Sequence, residues 1–310
     1  MPPAALARTA AADYRRRARY PRSSHPLGAD EDPIERDRHV TPVRMRGPGG
    51  EEPTLEVFPA RTGFEAPESA LLHALLSVQG TRVRAAEIHA TILTEALVPI
   101  GTIEYNDDGL AGDAVAGDRI YTALFTPPDE PVEKLARSYL VQVEARTAGN
   151  DQRLAATSFL YSTPHARLTG AFRDAALGGN LTVEAEVEVF LAGRFHVEAT
   201  LYTGDAQRAL AWSQTAAELP PGRHWMPLSY YGLILREQAV GGPYLLRHVA
   251  LSTTTGMPNA KNRVLDDAWR TAAYRASAFT DQPFGDPALL DAAERIERDA
   301  PGITALEAGG

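Results

Sequence analysis

LTVEAEVEVFLAGRFHVEATLY, residues 181–202, has a period that decides the fold class. Val183, Ala185, Val187, Val189 and Leu191 alternate with Glu184, Glu186 and Glu188, which sets an apolar row on one face of a strand and carboxylates on the other. After Ala192-Gly193 the alternation resumes at Phe195, Val197, Ala199 and Leu201, with His196 on the outer face. The stretch reads as a β-hairpin laid over a core.

The same texture runs from Leu55 onward: short apolar runs separated by turn residues, the spacing of an all-β sandwich. SALLHALLSV (69–78), the turn Gln79-Gly80 and TRVRAAEIHATILT (81–94) read as strand, turn, strand. Further strands are expected at GTIEYN, RIYTALF, SYLVQVEAR and LAATSFLYS, an immunoglobulin-like set, and then at RALAWSQTA, GRHWMPLSY, YGLILREQ and YLLRHVALSTT. YSTPH (161–165) closes the first set, so two tandem immunoglobulin-like or fibronectin-like sandwiches are expected over 51–163 and 164–285. Residues 1–50 combine clustered charge with Pro21, Pro26, Pro33, Pro42 and Pro48, the composition of an extended or disordered lead-in. Its basic run, residues 14–20, reads as a solvated segment. Beyond Gly256, GMPNAKNR reads as loop and DDAWRTAAYRASAF as irregular, while PALLDAAERIERD begins a short amphipathic helix in the tail, 286–310.

Composition narrows the function. A net charge of -9 argues against a partner held by phosphate neutralisation, and the charges are mixed rather than gathered on one basic face. With no cysteine, disulfides, thiolate metal sites and a cysteine nucleophile are excluded. No run approaches the roughly 20 apolar residues of a spanning helix. The opening MPPAALARTAAADYRRRARY lacks the ordered basic, apolar and cleavage regions of a signal peptide, with AALARTAAA at most a remnant of one.

The densest chemistry lies in YNDDGLAGDAVAGDRIYTALF, residues 105–125. Asp107, Asp108, Asp113 and Asp118 supply hard oxygens, and Gly109, Gly112 and Gly117 permit the reversals that let a short segment wrap an ion. Calcium is the metal such a set suits. The spacing is not that of a helix-loop-helix calcium loop, because no ligand type stands two residues after Asp108 and no glutamate closes the segment. The other reading is two consecutive turns whose aspartates accept hydrogen bonds from nearby backbone N–H groups.

The eight histidines show no metal-ligand spacing, and there is no nucleophile elbow, phosphate-binding Gly-rich loop or dinucleotide fingerprint. A triad assembled from distant loops leaves no local trace. Trp212, Trp225, Tyr230, Tyr231, Tyr244, Trp269 and Tyr274 gather late in the chain; they read first as core aromatics and strand-end anchors, and secondarily as stacking surfaces for a sugar or peptide. Asn180-Leu181-Thr182 fits a glycosylation sequon but serves as the start of a strand.

DDGLAGDAVAGDRIYT resembles the D-D-G, G-D, G-D, Y-[ST] element of immunoglobulin-like domains in exported proteins, with Arg119 in place of the glycine that often follows the last aspartate. Together with YRRRARYPRSSHPLGADEDPIERDRHVTPV, FHVEATLYTGDAQRALAWSQ, GPYLLRHVALSTTTGMPNAKNR and AYRASAFTDQPF, it makes the chain similar to secreted bacterial proteins of unknown function with affinity to the "choice-of-anchor X" group. That resemblance implies export to the periplasm, cell surface or medium, and tandem sandwiches without a recognised catalytic centre. The function expected is non-catalytic binding of protein or glycan, or a structural role. The alternative is a hydrolase or its accessory module acting on polysaccharide or peptide, for which Asp205, His224 and Glu237 are the candidate groups.

Overall fold

The computed structural model describes residues 3–28, 32–128 and 135–307. It is mostly β, as the alternation requires. The lead-in carries α1 (Pro3–Arg17), β1 (Ser24–Pro26), α2 (Pro33–Arg38) and β2 (Val43–Met45). The first sandwich follows with β3 (Thr54–Pro59), β4 (Gly63–Glu65), β5 (Ala70–Val78), β6 (Thr81–Val83), β7 (Glu87–Leu93), β8 (Pro99–Glu104), β9 (Tyr121–Phe125), β10 (Ala136–Arg146) and β11 (Gln152–Ser162). One of its sheets runs β2-β3-β5-β6 with β9 also on β5, and the other runs β4-β11-β10-β7-β8. Between them lie Leu55, Leu72, Leu76, Ile92, Val141 and an aromatic group in which Phe159 contacts Phe64, Phe125 and Tyr139.

The second sandwich comprises β12 (Ala166–Leu177), β13 (Asn180–Val189), β14 (Gly193–Thr203), β15 (Ala209–Leu219), β16 (Gly222–Tyr230), α3 (Gly232–Glu237), β17 (Tyr244–Thr253), β18 (Ala260–Lys261) and β19 (Trp269–Arg270), with α4 (Pro287–Glu307) after it. Its sheets are β12-β13-β16 and β1-β15-β14-β17-β18, the latter with β19 also on β17.

The expected hairpin is not one. β13 pairs with β12 and β16, whereas β14 pairs with β15 and β17 in the opposite sheet. The two strands face each other across the core, so Val183, Val187, Phe195 and Leu201 are all buried, but the chain between them crosses from sheet to sheet. Leu191 is part of that crossing and is 43% exposed, not a core residue. Alternation reports which side chains face the core; it is silent on which strand supplies the neighbouring hydrogen bonds.

Three further expectations change. TRVRAAEIHATILT is not one strand but two, β6 and β7, which lie in opposite sheets of the first sandwich. YGLILREQ is not a strand: Gly232–Glu237 form α3, with Leu233, Ile234 and Leu235 buried. A run of consecutive apolar residues has no period of its own, and here the buried ridge between sheets accepts a helical turn. The lead-in is not extended or disordered over its described residues. Ala7 and Ala11 of α1 are buried, α1 packs along α4, where Ala293 is buried, and Arg15 pairs with Glu297. Most of what makes such a helix stable is a tertiary partner, here nearly 300 residues away in sequence, and composition cannot see it. The basic run that ends in Tyr20 is likewise engaged, for Arg19 and Tyr20 both bond Glu237.

β17 carries the irregularity that matters most. Between the register pairs Glu198↔Ala250 and Thr200↔Arg247, two residues, His248 and Val249, stand opposite one, Ala199. His248 has φ +52, in the left-handed region. The Tyr230 hydroxyl, fully buried, donates to the Ala199 carbonyl opposite the bulge at 3.1 Å. Tyr230→Phe keeps the packing and removes that donor, so we expect a loss of about 1 kcal/mol in urea unfolding; an unchanged midpoint would show that the bond contributes nothing.

Candidate functional site

Two places bring chemically capable side chains together. The first is the loop between β8 and β9. Asn106 forms a bridge with Thr122, which carries the chain from one sheet of the first sandwich to the other and closes the ends of the loop. Within it Asp113, buried, accepts from Gly109 N at 2.6 Å and Val115 N at 3.4 Å; Asp108 accepts from Leu110 N at 2.9 Å. Asp107 accepts from Arg119 N at 3.3 Å, and Asp118 from Ile120 N at 2.8 Å. Gly112, at φ +93, lies against the sheet so closely that a Cβ would meet Leu71 Cδ1 at 2.7 Å. Arg119 takes φ +65, so the left-handed turn for which the resembling element uses glycine is kept by an arginine, whose Nη1 donates to Arg82 O at 2.5 Å.

One carboxylate oxygen each from Asp107, Asp113 and Asp118 lies within 4.8 Å of the others. Asp108 is not in that group. Its carboxylate serves the turn, so the four aspartates divide three to one. Arg82 stands 3.9 Å from the Asp118 carboxylate, and Asn106 Oδ1 is buried without a hydrogen-bond partner among the described residues. Asp113 also acts on the imidazole of His73, which burial holds below the usual histidine range against that opposing pull.

The second place is a cleft of about 720 Å³ between the two sandwiches, lined from the first by Gly63, Glu65 and Glu68, from the second by His248, Lys261 and Asp266, and roofed by α2. The sandwiches are tied across it: Glu65 accepts from Asn262 Nδ2 at 3.0 Å and from Arg263 N at 2.7 Å, and Ser162 Oγ accepts from Lys261 N at 3.0 Å. Behind its inner wall Asp32 caps α2, taking Ile34 N at 2.9 Å on Oδ1. Its Oδ2 takes the Tyr202 hydroxyl at 2.9 Å and His248 Nδ1 at 2.6 Å. Burial pushes the Asp32 carboxyl up, but the hydrogen bonds from His248, Tyr202 and Glu35 N outweigh it and hold the group below the usual carboxylate range. Burial and the Asp32 hydrogen bond together push the Tyr202 hydroxyl well up.

Neither Asp32 nor His248 stood out in the sequence, yet one signal was available. In YLLRHVALST the positions in the main core are Tyr244 and Leu246, then Val249 and Leu251, while Leu245 is buried in a separate small cluster with Tyr202 and Ala209. The phase of the alternation breaks at Arg247-His248, and such a break marks a bulge that re-aims a side chain.

The hydrolase candidates are not assembled. Asp205 bonds Thr203 and Gln207 in the turn before β15, while His224 contacts Pro220 O on β16, just beyond the far end of that strand. Eleven residues of β15 separate these turns, roughly 35 Å. Glu237 is taken by Arg19 and Tyr20. The late aromatics serve mainly as anchors: Tyr230 and Tyr244 are fully buried, Trp269 and Tyr274 both bond Asp174 at 2.7 Å, and Trp225 lies under the Arg173 guanidinium.

Fold and sites together define an all-β chain of two face-packed sandwiches, clasped by its own N-terminal segment, with an acidic loop on one and a histidine-containing cleft between the two. Residues 165–263, within the second sandwich, match the family model described as the C-terminal domain of DUF4785, a domain of unknown function. A crystal structure of a DUF4785 family protein from Legionella pneumophila subsp. pneumophila str. Philadelphia 1 is similar at TM-score 0.51 and 18% identity, over 70% of this chain and 58% of that one. The chain therefore spans little more than half of that relative, and the likeness is one of fold. CopC from Methylosinus trichosporium OB3b (TM-score 0.21, 17% identity, 34% of this chain and 89% of that one) and a tetra-tandem repeat in the extending region of a large adhesion protein (0.26, 11%, 74% and 56%) are too distant to bear on function. No curated protein matches the chain. Among the described residues no helix is long and apolar enough to cross a membrane.

Proposed function

We propose that this chain is a non-catalytic binding or structural protein of the bacterial envelope or secretome, recognising protein or glycan, with its first sandwich stabilised by calcium at the loop of residues 107–118. The observation that carries the calcium reading is the convergence of Asp107, Asp113 and Asp118 within 4.8 Å. At that spacing each pair of ionised carboxylates repels by about 1 kcal/mol in water and several-fold more at the effective dielectric of a protein surface. Arg82, 3.9 Å from one of them, offsets part of this. Hard oxygen donors with the unsatisfied Asn106 Oδ1 adjacent in sequence fit a calcium ion, which draws six to eight oxygens and completes its shell with backbone carbonyls and water. The ion would supply charge and a crosslink, not chemistry. Export to the periplasm, cell surface or medium, and kinship with the "choice-of-anchor X" group, rest on the sequence resemblance of the same element.

Calcium at 100 times its dissociation constant should stabilise the chelator-treated protein by about 2.7 kcal/mol, raising Tm by roughly 5–10 °C. Asp113→Asn and Asp118→Asn should abolish the rise. Identical melting curves with calcium and with chelator would remove the ion from the proposal.

A further inference from the structure

We propose that the cleft between the sandwiches holds a divalent transition-metal ion of the zinc class, bound by His248 Nε2 with the carboxylates of Glu35 and Asp266. This site is separate from the aspartate loop and stands whether or not that loop takes calcium.

The imidazole of His248 is 95% buried, since its side chain is 5% exposed. The Asp32 hydrogen bond explains only half of it. With Nδ1 engaged by Asp32 Oδ2 at 2.6 Å, Nε2 is the ring nitrogen left for a ligand on the cleft side. That nitrogen has no hydrogen-bond partner among the described residues; the nearest carboxylate oxygen, Asp266 Oδ1, is 3.8 Å away. Asp32 and Tyr202 lie behind the ring and do not line the cleft, whereas His248, Glu35 and Asp266 all do. A carboxylate, hydrogen-bonded to the far nitrogen of a histidine whose near nitrogen is free, is the arrangement that orients metal-ligating imidazoles and raises their basicity.

The donor geometry agrees. Two ligands on one zinc-class ion, each at about 2.0–2.2 Å, stand roughly 3–4 Å apart, and the separation from Nε2 to Asp266 Oδ1 is 3.8 Å. Glu35 stands beside the Asp32–His248 pair, one of its carboxylate oxygens lying within 4.8 Å of an Asp32 oxygen and of a ring nitrogen of His248, and joins Asp266 on an ion at Nε2 only by turning its side chain. Glu35 is exposed in the first turn of α2, and Asp266 is 60% exposed, so both carboxylates can swing toward the ring. Arg38 holds that same oxygen, Asp266 Oδ1, at 2.6 Å; a pair so exposed is worth little, and the ion would take the oxygen's other lone pair or displace the guanidinium. One imidazole nitrogen with carboxylates, and no thiolate in the chain, suits zinc, copper or nickel better than calcium or magnesium. Three protein donors would leave a coordination position facing the cleft for water or a small ligand.

The test uses the full chain stripped with chelator and titrated with cobalt(II), read by its visible absorption, and with zinc by calorimetry. One ion per chain is expected, unaffected by Asp113→Asn combined with Asp118→Asn. Glu35→Gln and Asp266→Asn, both at exposed positions that leave the core intact, should each weaken binding by roughly 10–100-fold or more, and His248→Gln should abolish it. Should His248→Gln fail to fold, the two carboxylate variants decide alone. Absence of stoichiometric binding, binding undiminished in the Glu35→Gln/Asp266→Asn double variant, or binding lost with the loop aspartates would each overturn the assignment.

Discussion

Gly232→Ala should be among the most damaging single-methyl additions in this chain, lowering unfolding free energy by about 3 kcal/mol or more. A Cβ built on Gly232 would stand 1.9 Å from Gly179 O and 2.8 Å from Thr280 N. Those two atoms are themselves bonded, Thr280 N donating to Gly179 O at 2.8 Å. The Gly232 N–H in turn donates to Asn180 Oδ1 at 2.8 Å. Three segments distant in sequence, the β12–β13 turn, the start of α3 and the chain returning toward α4, thus meet on one glycine. Its neighbours are backbone atoms, which cannot rotate away as the end of a flexible side chain would. A methyl group there must part the return segment from the turn, adding the loss of a backbone hydrogen bond, about 1 kcal/mol, to the overpacking. Gly256→Ala is the control, because nothing lies within 4 Å of its Cβ. Equal urea midpoints for the two variants would show that the segments do not approach as closely as described.

Asp32→Ala should cost about 3–5 kcal/mol, because it removes at once a helix cap and the acceptor of two buried donors. The carboxylate accepts four hydrogen bonds, from Ile34 N, Glu35 N, the Tyr202 hydroxyl and His248 Nδ1. Alanine uncaps α2, a loss of about 1 kcal/mol by itself, and leaves a buried hydroxyl and a buried imidazole without their acceptor. Asp32→Asn retains the capping oxygen and should cost roughly half as much. The two variants separate capping from the Oδ2 contacts: if both lose the same free energy, the contribution lies in the His248 and Tyr202 bonds, and the cap adds little. A full-chain denaturation series by near-ultraviolet circular dichroism reads the difference, since Tyr202 and its surroundings report the second sandwich directly.

Much of the fold was legible because a strand with one wet face writes its burial into the sequence at period two. From Leu181 to Leu201 every odd position except Leu191 and Gly193 is buried as the alternation requires. The strands at 138–146, 154–162 and 222–230 were readable on the same ground. α3 was misread because LIL is apolar without a period, and α1 because its stability comes from α4 and not from its own residues. At the acidic loop the sequence supplied the residue types and the turn glycines; that Asp108 serves a turn while Asp107, Asp113 and Asp118 converge depends on the left-handed residues Ala111 and Arg119, which no turn pattern demands.

The sequence by itself determined the class of the protein, the faces of most strands, the acidic loop and the absence of thiol chemistry, all of them properties of single residues or of near neighbours along the chain. Only the tertiary structure decided which strands pair, how the N-terminal segment clasps the second sandwich, and that Asp32 and His248 meet across 216 positions in a cleft neither sandwich forms alone. The reason is physical. Alternation and turn chemistry act over a few residues, whereas sheet partnership and a buried polar pair are settled by which distant surfaces exclude water together, and that is written in no local period.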